Sequence, residues 1–399
     1  MTPHIFLVAG EESGDRLGGA LIAAIRRKTN GRAQFSCVGG AAMAAEGVPS
    51  LFPPGDLALM GFAAIPAALP RILRRIRETA DAIVAARPDA LVIIDSPEFT
   101  HRVARRVRQR APEIPVVDYV CPSVWAWRPG RARAMRGYVD QVLALLPFEP
   151  VALEKLGGPP CHYVGHPLAE QLDALRPNEL EGRLRRADPP MVLVLPGSRS
   201  GEIRRMAPVF GAAVARIAEQ YGPVEVIVPA VPRLADLVRR QVGKWSVAAR
   251  VVTDLAEKEE AFRTARAAIT KSGTSTLELA LAGVPMVAAY RVPLIEEIAA
   301  RLLINVPTVI LANLVLGESV VPEFLQRDCT PRKLAGGLLP LLKESAERQR
   351  QLNAFARLDG VMEIGKARPS DRAAEAVLAC LVHRNGAPLE IAVAAMPPG

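Results

Sequence analysis

The sequence has no pair of cysteines spaced as Cys-X-X-Cys; its five cysteines, Cys37, Cys121, Cys161, Cys329 and Cys380, stand far apart, with no run of histidines near them. They read as reduced, mostly buried thiols of a cytosolic protein, and no structural metal is expected. Aromatic residues are scarce, at 5% of the chain, and no zinc-ligand or RNA-binding signature occurs. Nucleic acid is therefore not the expected partner. Long apolar runs are missing too: the longest uncharged stretch, Leu302 to Gly317, is broken by Asn305, Pro307 and Asn313 and falls short of a bilayer span. The first strand is expected after only four residues, leaving no room for a secretory leader. Any membrane contact should then be peripheral.

The first loop also lacks a dinucleotide fingerprint. In "LVAGEESGDRLGG" Gly10, Gly14 and Gly18 do not make GxGxxG, so neither a nicotinamide nor a flavin cofactor is expected. What the stretch does have is acid. A strand, "HIFLVAG", runs into a helix whose buried face is Leu17, Ala20, Leu21, Ala24 and Ile25, and Ser13 to Asp15 sit at the junction. By residue type, one reading of Ser13 or Asp15 is a plain helix cap. The functional reading is that Glu11, Glu12 and Asp15 accept hydrogen bonds from sugar hydroxyls, which suit them better than phosphate.

With 399 residues, 50% hydrophobic and 23% charged, the chain can build two globular domains. Its net charge of +9 points to acidic partners. Val- and Ile-rich runs alternate with helical segments: "IFLVAG", "ALVIIDS", "PVVDYV" and "QVLALLP", then "MVLVLPG", "VEVIVPA", "AAITKSG" and "PMVAAY". This predicts an α/β architecture of two doubly wound, Rossmann-like domains facing across a cleft at the carboxyl ends of their strands. The expected boundaries are 1–168, a linker at 169–190, 191–365, and a C-terminal helix at 366–399 that packs back on the first domain and ends in a frayed tail.

Two loops of the second half can hold an oxyanion. "LPGSRSGEI" carries Gly197, Ser198, Gly201 and Arg199, whose guanidinium can grip it with two hydrogen bonds. "KSGTSTLELALAGVP" offers Ser272, Gly273, Thr274, Ser275 and Thr276 at a helix start. In the first half, "LVIIDSPEFTHR" places Asp95 at the end of a strand. It is either a general base or the cap of the next helix. His166 is a competing base or a structural hydrogen-bonding group. Trp125, Trp127, Arg128 and Arg131 are core aromatics with a basic flank or a cleft lining. Leu57, Met60, Phe62 and Ile65, followed by Arg71, Arg74, Arg75 and Arg77, suit acyl chains and anionic head groups, or a buried helix with a basic end.

Taken in order, "VAGEESGD", "IDSPEF", "CPSVWAWRPGR", "LPFE", "VGHP", "LPGSRSGEI", "SGTSTLE" and "VPEFLQ" resemble the lipid-A-disaccharide synthase family from about Ile5 to Thr330. The resemblance implies a GT-B-like glycosyltransferase that joins UDP-2,3-diacylglucosamine to the 6-hydroxyl of 2,3-diacylglucosamine-1-phosphate with inversion. The products would be UDP and the β-1,6 disaccharide of lipid A. By matching position, Asp95 would be the base, and Arg199 with Ser198 and the Ser272–Thr276 loop would hold the diphosphate. Glu278 and Asn313 would hold the nucleoside. Glu11, Ser13, Met60, Phe62, Trp125 and Arg128 would border the acyl sugar. The family resemblance and the lack of an Asp-X-Asp pair imply catalysis without metal or other cofactor. They also imply a cytoplasmic enzyme on the inner face of the inner membrane, touching its anionic surface, and a homodimer is compatible with the sequence. The chain departs from the family pattern at Glu12, at Glu98-Phe99-Thr100 and at Gly317-Glu318-Ser319. Two other readings share the expected fold: a UDP-N-acetylglucosamine 2-epimerase, and a nucleotide-sugar sensor without chemistry.

Overall fold

In the computed structural model of the protein, residues 2–53, 65–293, 297, 303 and 306–385 are described. Leu57, Met60 and Phe62, and the tail beyond Asn385, lie outside them. The first sheet contains β1 (His4–Ala9), β2 (Gln34–Val38), β3 (Ala90–Ile94), β4 (Val116–Tyr119), β5 (Gln141–Ala144) and β6 (Cys161–Tyr163). The second contains β7 (Met191–Leu195), β8 (Glu225–Pro229), β9 (Arg250–Val252), β10 (Ala267–Lys271), β11 (Met286–Tyr290) and β12 (Glu323–Leu325). The strand orders are β2-β1-β3-β4-β5-β6 and β12-β11-β10-β7-β8-β9, and β1–β3 and β7–β10 pair in parallel like the rest.

Both faces of the first sheet are covered, as continuous apolar strands require. On β1, Phe6 and Val8 pack with Ile76, Ile83, Phe99 and Val103, while Ile5, Leu7 and Ala9 pack with Leu21, Ile25, Val377 and Leu378. The second group includes the C-terminal helix Pro369–Asn385, whose Asp371 and Glu375 pair with Arg27 and Lys28 of the helix Glu12–Lys28 at 2.7 and 2.6 Å. The chain accordingly divides into one unit of Met1–Ala169 with Gly365–Gly399 and another of Glu170–Ile364. The stretch 169–190, expected to be a linker, belongs from Glu170 onward to the second unit. Its Arg185 donates to the carbonyls of Phe262, Arg263, Ala282 and Gly283 at 2.9 to 3.1 Å.

Each sheet reverses its winding at one place. In the first, the chain adds β2 on one side of β1 and then returns to place β3 on the other. In the second, β7, β8 and β9 run one way and β10 starts again beside β7. Ligands of doubly wound sheets bind beyond the carboxyl ends of the strands at such a reversal. Ala9 pairs with Ile94 and Leu195 with Thr270. The loops opening at Gly10 and Asp95 are thereby adjacent in one unit, and those opening at Pro196 and Lys271 in the other.

Candidate functional site

At the first reversal Asp95 and Ser96 both adopt left-handed backbone, φ 52° and 47°, a conformation costly for residues with a side chain. The neighbouring loop comes so close that a Cβ on Gly10 would lie 2.7 Å from Ser96 Cβ. The bend turns the Asp95 carboxylate so that Oδ1 accepts the Ser96 amide at 2.7 Å and Oδ2 accepts the Ser13 hydroxyl at 3.0 Å. Asp95 is thus not the helix cap. That position falls to Ser96, which makes no side-chain capping bond. Ser13, in turn, is bound to Asp95, and the helix Glu12–Lys28 starts at Glu11 without a side-chain cap.

Asp15 corrects the expectation of a sugar-binding acid. It is buried, and its carboxylate accepts the amides of Gly40, Ala42 and Met43 at 2.6, 2.8 and 3.1 Å, which caps the helix Ala41–Ala45. Glu12 pairs with Arg16, and Glu11 is exposed. His166 is structural: burial lowers it to about 4, and its Nδ1 accepts the Leu168 amide at 3.2 Å. Trp125 packs edge-on to Phe148 and donates its indole N–H to Glu149 at 3.2 Å. The exposed Trp127 lies under Arg128 and Arg131, 4.5 and 5.6 Å from their guanidinium carbons. Glu149 was not singled out from sequence. Burial pushes its carboxyl up to about 7, against hydrogen bonds from the Leu146 amide and Trp125.

In the second unit the loop after β7 is organised by another residue that the sequence reading missed. Glu202 is 2% exposed in the first turn of the helix Ser200–Tyr221. It accepts the amides of Ser198 and Arg199 at 3.1 and 3.3 Å and lies 3.2 Å from Lys271 Nζ. A Cβ on Gly197, φ 129°, would come within 2.6 Å of Glu202. Those two amides are engaged with Glu202, and the Arg199 side chain, 71% exposed, also lies 3.5 Å from the Glu202 carboxylate. The signal was an acid three residues into the helix, the spacing of a capping box.

Beyond β10, Gly273 takes φ 155°. Ser272 is buried with its hydroxyl unpartnered, and Thr276 donates to the Gly273 carbonyl at 2.8 Å. Thr274 and Ser275 stand at the start of the helix Ser275–Leu281, and Glu278 pairs with Lys258 at 3.4 Å. Asn313 is 1% exposed. Its carboxamide accepts the amides of Val320 and Val321 and donates to the Val321 carbonyl at 2.9 to 3.1 Å, so it shapes the turn at Gly317 to Val321 from within. Among the described residues no three His, Cys, Asp or Glu side chains lie close enough to hold a metal, and no helix is long and apolar enough to cross a membrane.

Two reversal-point clusters on two parallel sheets define an α/β protein of the GT-B class. The UDP-N-acetylglucosamine 2-epimerase of Neisseria meningitidis, solved with UDP-N-acetylglucosamine, superposes with a TM-score of 0.60 over 94% of this chain and 100% of its own at 13% identity, a likeness of fold. The lipid-A-disaccharide synthetase family matches residues 5–377. The lipid-A-disaccharide synthases of Bradyrhizobium diazoefficiens and Nitrobacter hamburgensis are 58% and 57% identical, covering 94% and 96% of this chain and 96% and 97% of theirs. The chain belongs to that family, and it is a glycosyltransferase of lipid A biosynthesis.

Proposed function

We propose that the enzyme transfers 2,3-diacylglucosamine from UDP-2,3-diacylglucosamine to the 6-hydroxyl of 2,3-diacylglucosamine-1-phosphate. The observation that carries this reading is the Asp95 carboxylate, set in strained backbone at the carboxyl end of β3 with Ser13 on one oxygen. In the reaction Asp95 takes the proton of the acceptor hydroxyl while that oxygen attacks the anomeric carbon from the face opposite UDP. The bond from that carbon to the diphosphate breaks, and its electron pair leaves with UDP. Arg199 meets the developing charge, the use that a pre-set guanidinium has at a departing anion. Ser198 and the Ser272–Thr276 loop hold the diphosphate, Glu278 the nucleoside, and Asn313 acts on the nucleoside through the turn it shapes.

The test is UDP release from the donor with and without acceptor, in detergent and EDTA. Acceptor-dependent release by the wild type is expected to fall by about 100- to 10,000-fold in Asp95→Asn. Release that persists in the variant would remove Asp95 from the role. A peripheral stay on the inner face of the inner membrane fits the helix Ile65–Ala86, where Leu69 and Leu73 are 41% and 36% exposed among Arg71, Arg74 and Arg77. Cosedimentation with anionic vesicles, weakened by Leu69→Glu with Leu73→Glu, checks it.

A further inference from the structure

Beside the helix Pro97–Arg110 the first unit holds a cavity of about 170 Å³, walled in part by Glu98, His101, Arg102, Arg105, Arg131 and Tyr138. Sites for whole small molecules begin at about 300 Å³, so this one suits a single functional group. Its charge indicates which. Three guanidinium groups stand against one exposed carboxylate, because the other acid nearby, Asp118, is buried on β4 and bound to His101 at 3.1 Å.

The cations are held in place. Arg105 lies over the Tyr138 ring at 4.6 Å and donates to its hydroxyl at 3.2 Å. The Tyr138 hydroxyl is 3.0 Å from His101 Nδ1. His101 Nε2 lies 3.1 Å from Asp118, so Arg105, Tyr138, His101 and Asp118 form one continuous chain of contacts. Tyr138 and His101 are 6% and 8% exposed, which fixes Arg105 in one orientation before any ligand arrives and lowers the ordering cost of binding. Arg131 and Arg102 converge on the Glu98 carboxylate at 2.8 and 3.5 Å. Such a convergence also answers a phosphate, which offers three acceptor oxygens and pairs with guanidinium groups two bonds at a time.

We infer that this cavity binds a phosphate monoester and, resting on the reading of Asp95 as the base, that the group is the 1-phosphate of the acceptor. Asp95 stands just before the helix, and the lining from Glu98 to Arg105 extends about 10 Å along it at ~1.5 Å per residue. The 6-hydroxyl, through its methylene, and the 1-phosphate are carried on the two carbons that flank the ring oxygen of one sugar, several ångströms apart. One acceptor can therefore bring the first to Asp95 and the second to the arginines.

The full chain is titrated with glucosamine 1-phosphate, glucosamine and inorganic phosphate, and acceptor KM is measured with phosphorylated and dephosphorylated diacylglucosamine. The double variant Arg102→Gln, Arg131→Gln leaves the buried relay in place, and Arg110→Gln, which pairs with Asp81 at the far end of the helix, is the control. The wild type is expected to bind glucosamine 1-phosphate in preference to glucosamine. The double variant should weaken that binding, and raise KM for the phosphorylated acceptor alone, by about 10- to 100-fold. Donor KM should not move, and Glu98→Gln should tighten binding. Full retention of sugar phosphate binding by the double variant overturns the cavity as the site. Inorganic phosphate that binds as well as the sugar phosphate overturns its assignment to the acceptor. If binding is lost in the variant but the wild type transfers nothing, the phosphate site stands and the acceptor reading fails.

Discussion

Glu202 and Lys271 meet at 3.2 Å, carboxylate to ammonium, and this pair fastens the loop after β7 to the loop after β10. The acid belongs to a helix start and the base to a strand end, so the pair sets the spacing of the two loops proposed to hold the diphosphate.

Burial alone would raise the Glu202 carboxyl, but Lys271, the Ser198 amide and Arg199 outweigh it and hold the group below its ordinary 4.5. A depressed folded value means that the stabilisation is complete above the ordinary carboxylate range and is lost as pH falls through the folded value. Glu202→Gln is expected to lower unfolding free energy at pH 7 by about 3 kcal/mol. Denaturant titrations should show the deficit shrinking toward pH 3. Parallel curves for the two proteins would mean that the charge of Glu202 contributes nothing.

Arg199 carries the opposite expectation, a large loss of rate with little loss of stability. Its guanidinium is largely exposed and its pairing with Glu202 at 3.5 Å is screened by solvent, so Arg199→Gln should lower the melting temperature only slightly. kcat should fall by about 100- to 1,000-fold, the usual effect of deleting a donor at a departing or developing anion. A change confined to donor KM would assign Arg199 to ground-state binding instead.

Glu149 gives a pH signature of reverse sign. Its carboxyl titrates at about 7 in the fold, raised by burial from an ordinary 4.5. The unfolded chain therefore gives up this proton first. As pH rises from the ordinary value to the folded one, wild-type stability falls, by up to about 3 kcal/mol from the size of the shift. Glu149→Gln removes this dependence, so its stability relative to wild type should improve between pH 5 and pH 7.5. A relative stability that stays flat across that range would rule out a carboxyl titrating near neutrality.

Asn313→Ala should be a folding defect before it is a binding defect. It strips the partner from two buried amides, those of Val320 and Val321, at about 1–3 kcal/mol each. The check is denaturant unfolding beside donor KM. A rise in KM without a loss of stability would place the carboxamide on the ligand.

The architecture was legible because parallel strands buried on both faces write themselves as unbroken apolar runs, and β3, Ala-Leu-Val-Ile-Ile, shows this most plainly. The family was legible in its ordered motifs. Local roles were harder, since one carboxylate looks like another until its surroundings are known. Asp15 reads as a ligand for hydroxyls and serves three amides twenty-five or more residues away. Asp95 reads as either a general base or a cap, and it is turned away from the capping position by two left-handed residues that sequence does not announce. Glu149 and Glu202 owe their significance to burial beside Trp125 and Lys271, contacts made only when strands and helices assemble.

The helix Pro369–Asn385 closes a face of the first unit, covering Ile5, Leu7 and Leu21 with Val377 and Leu378. During synthesis that face must wait for the ribosome to finish the whole second unit. At ~5–20 residues per second the wait is on the order of tens of seconds. The half of the enzyme translated first is thus the half completed last, with the apolar surface that this helix covers exposed in the interval. A premature stop near residue 365 would leave the second unit whole and the Asp95 unit unfinished.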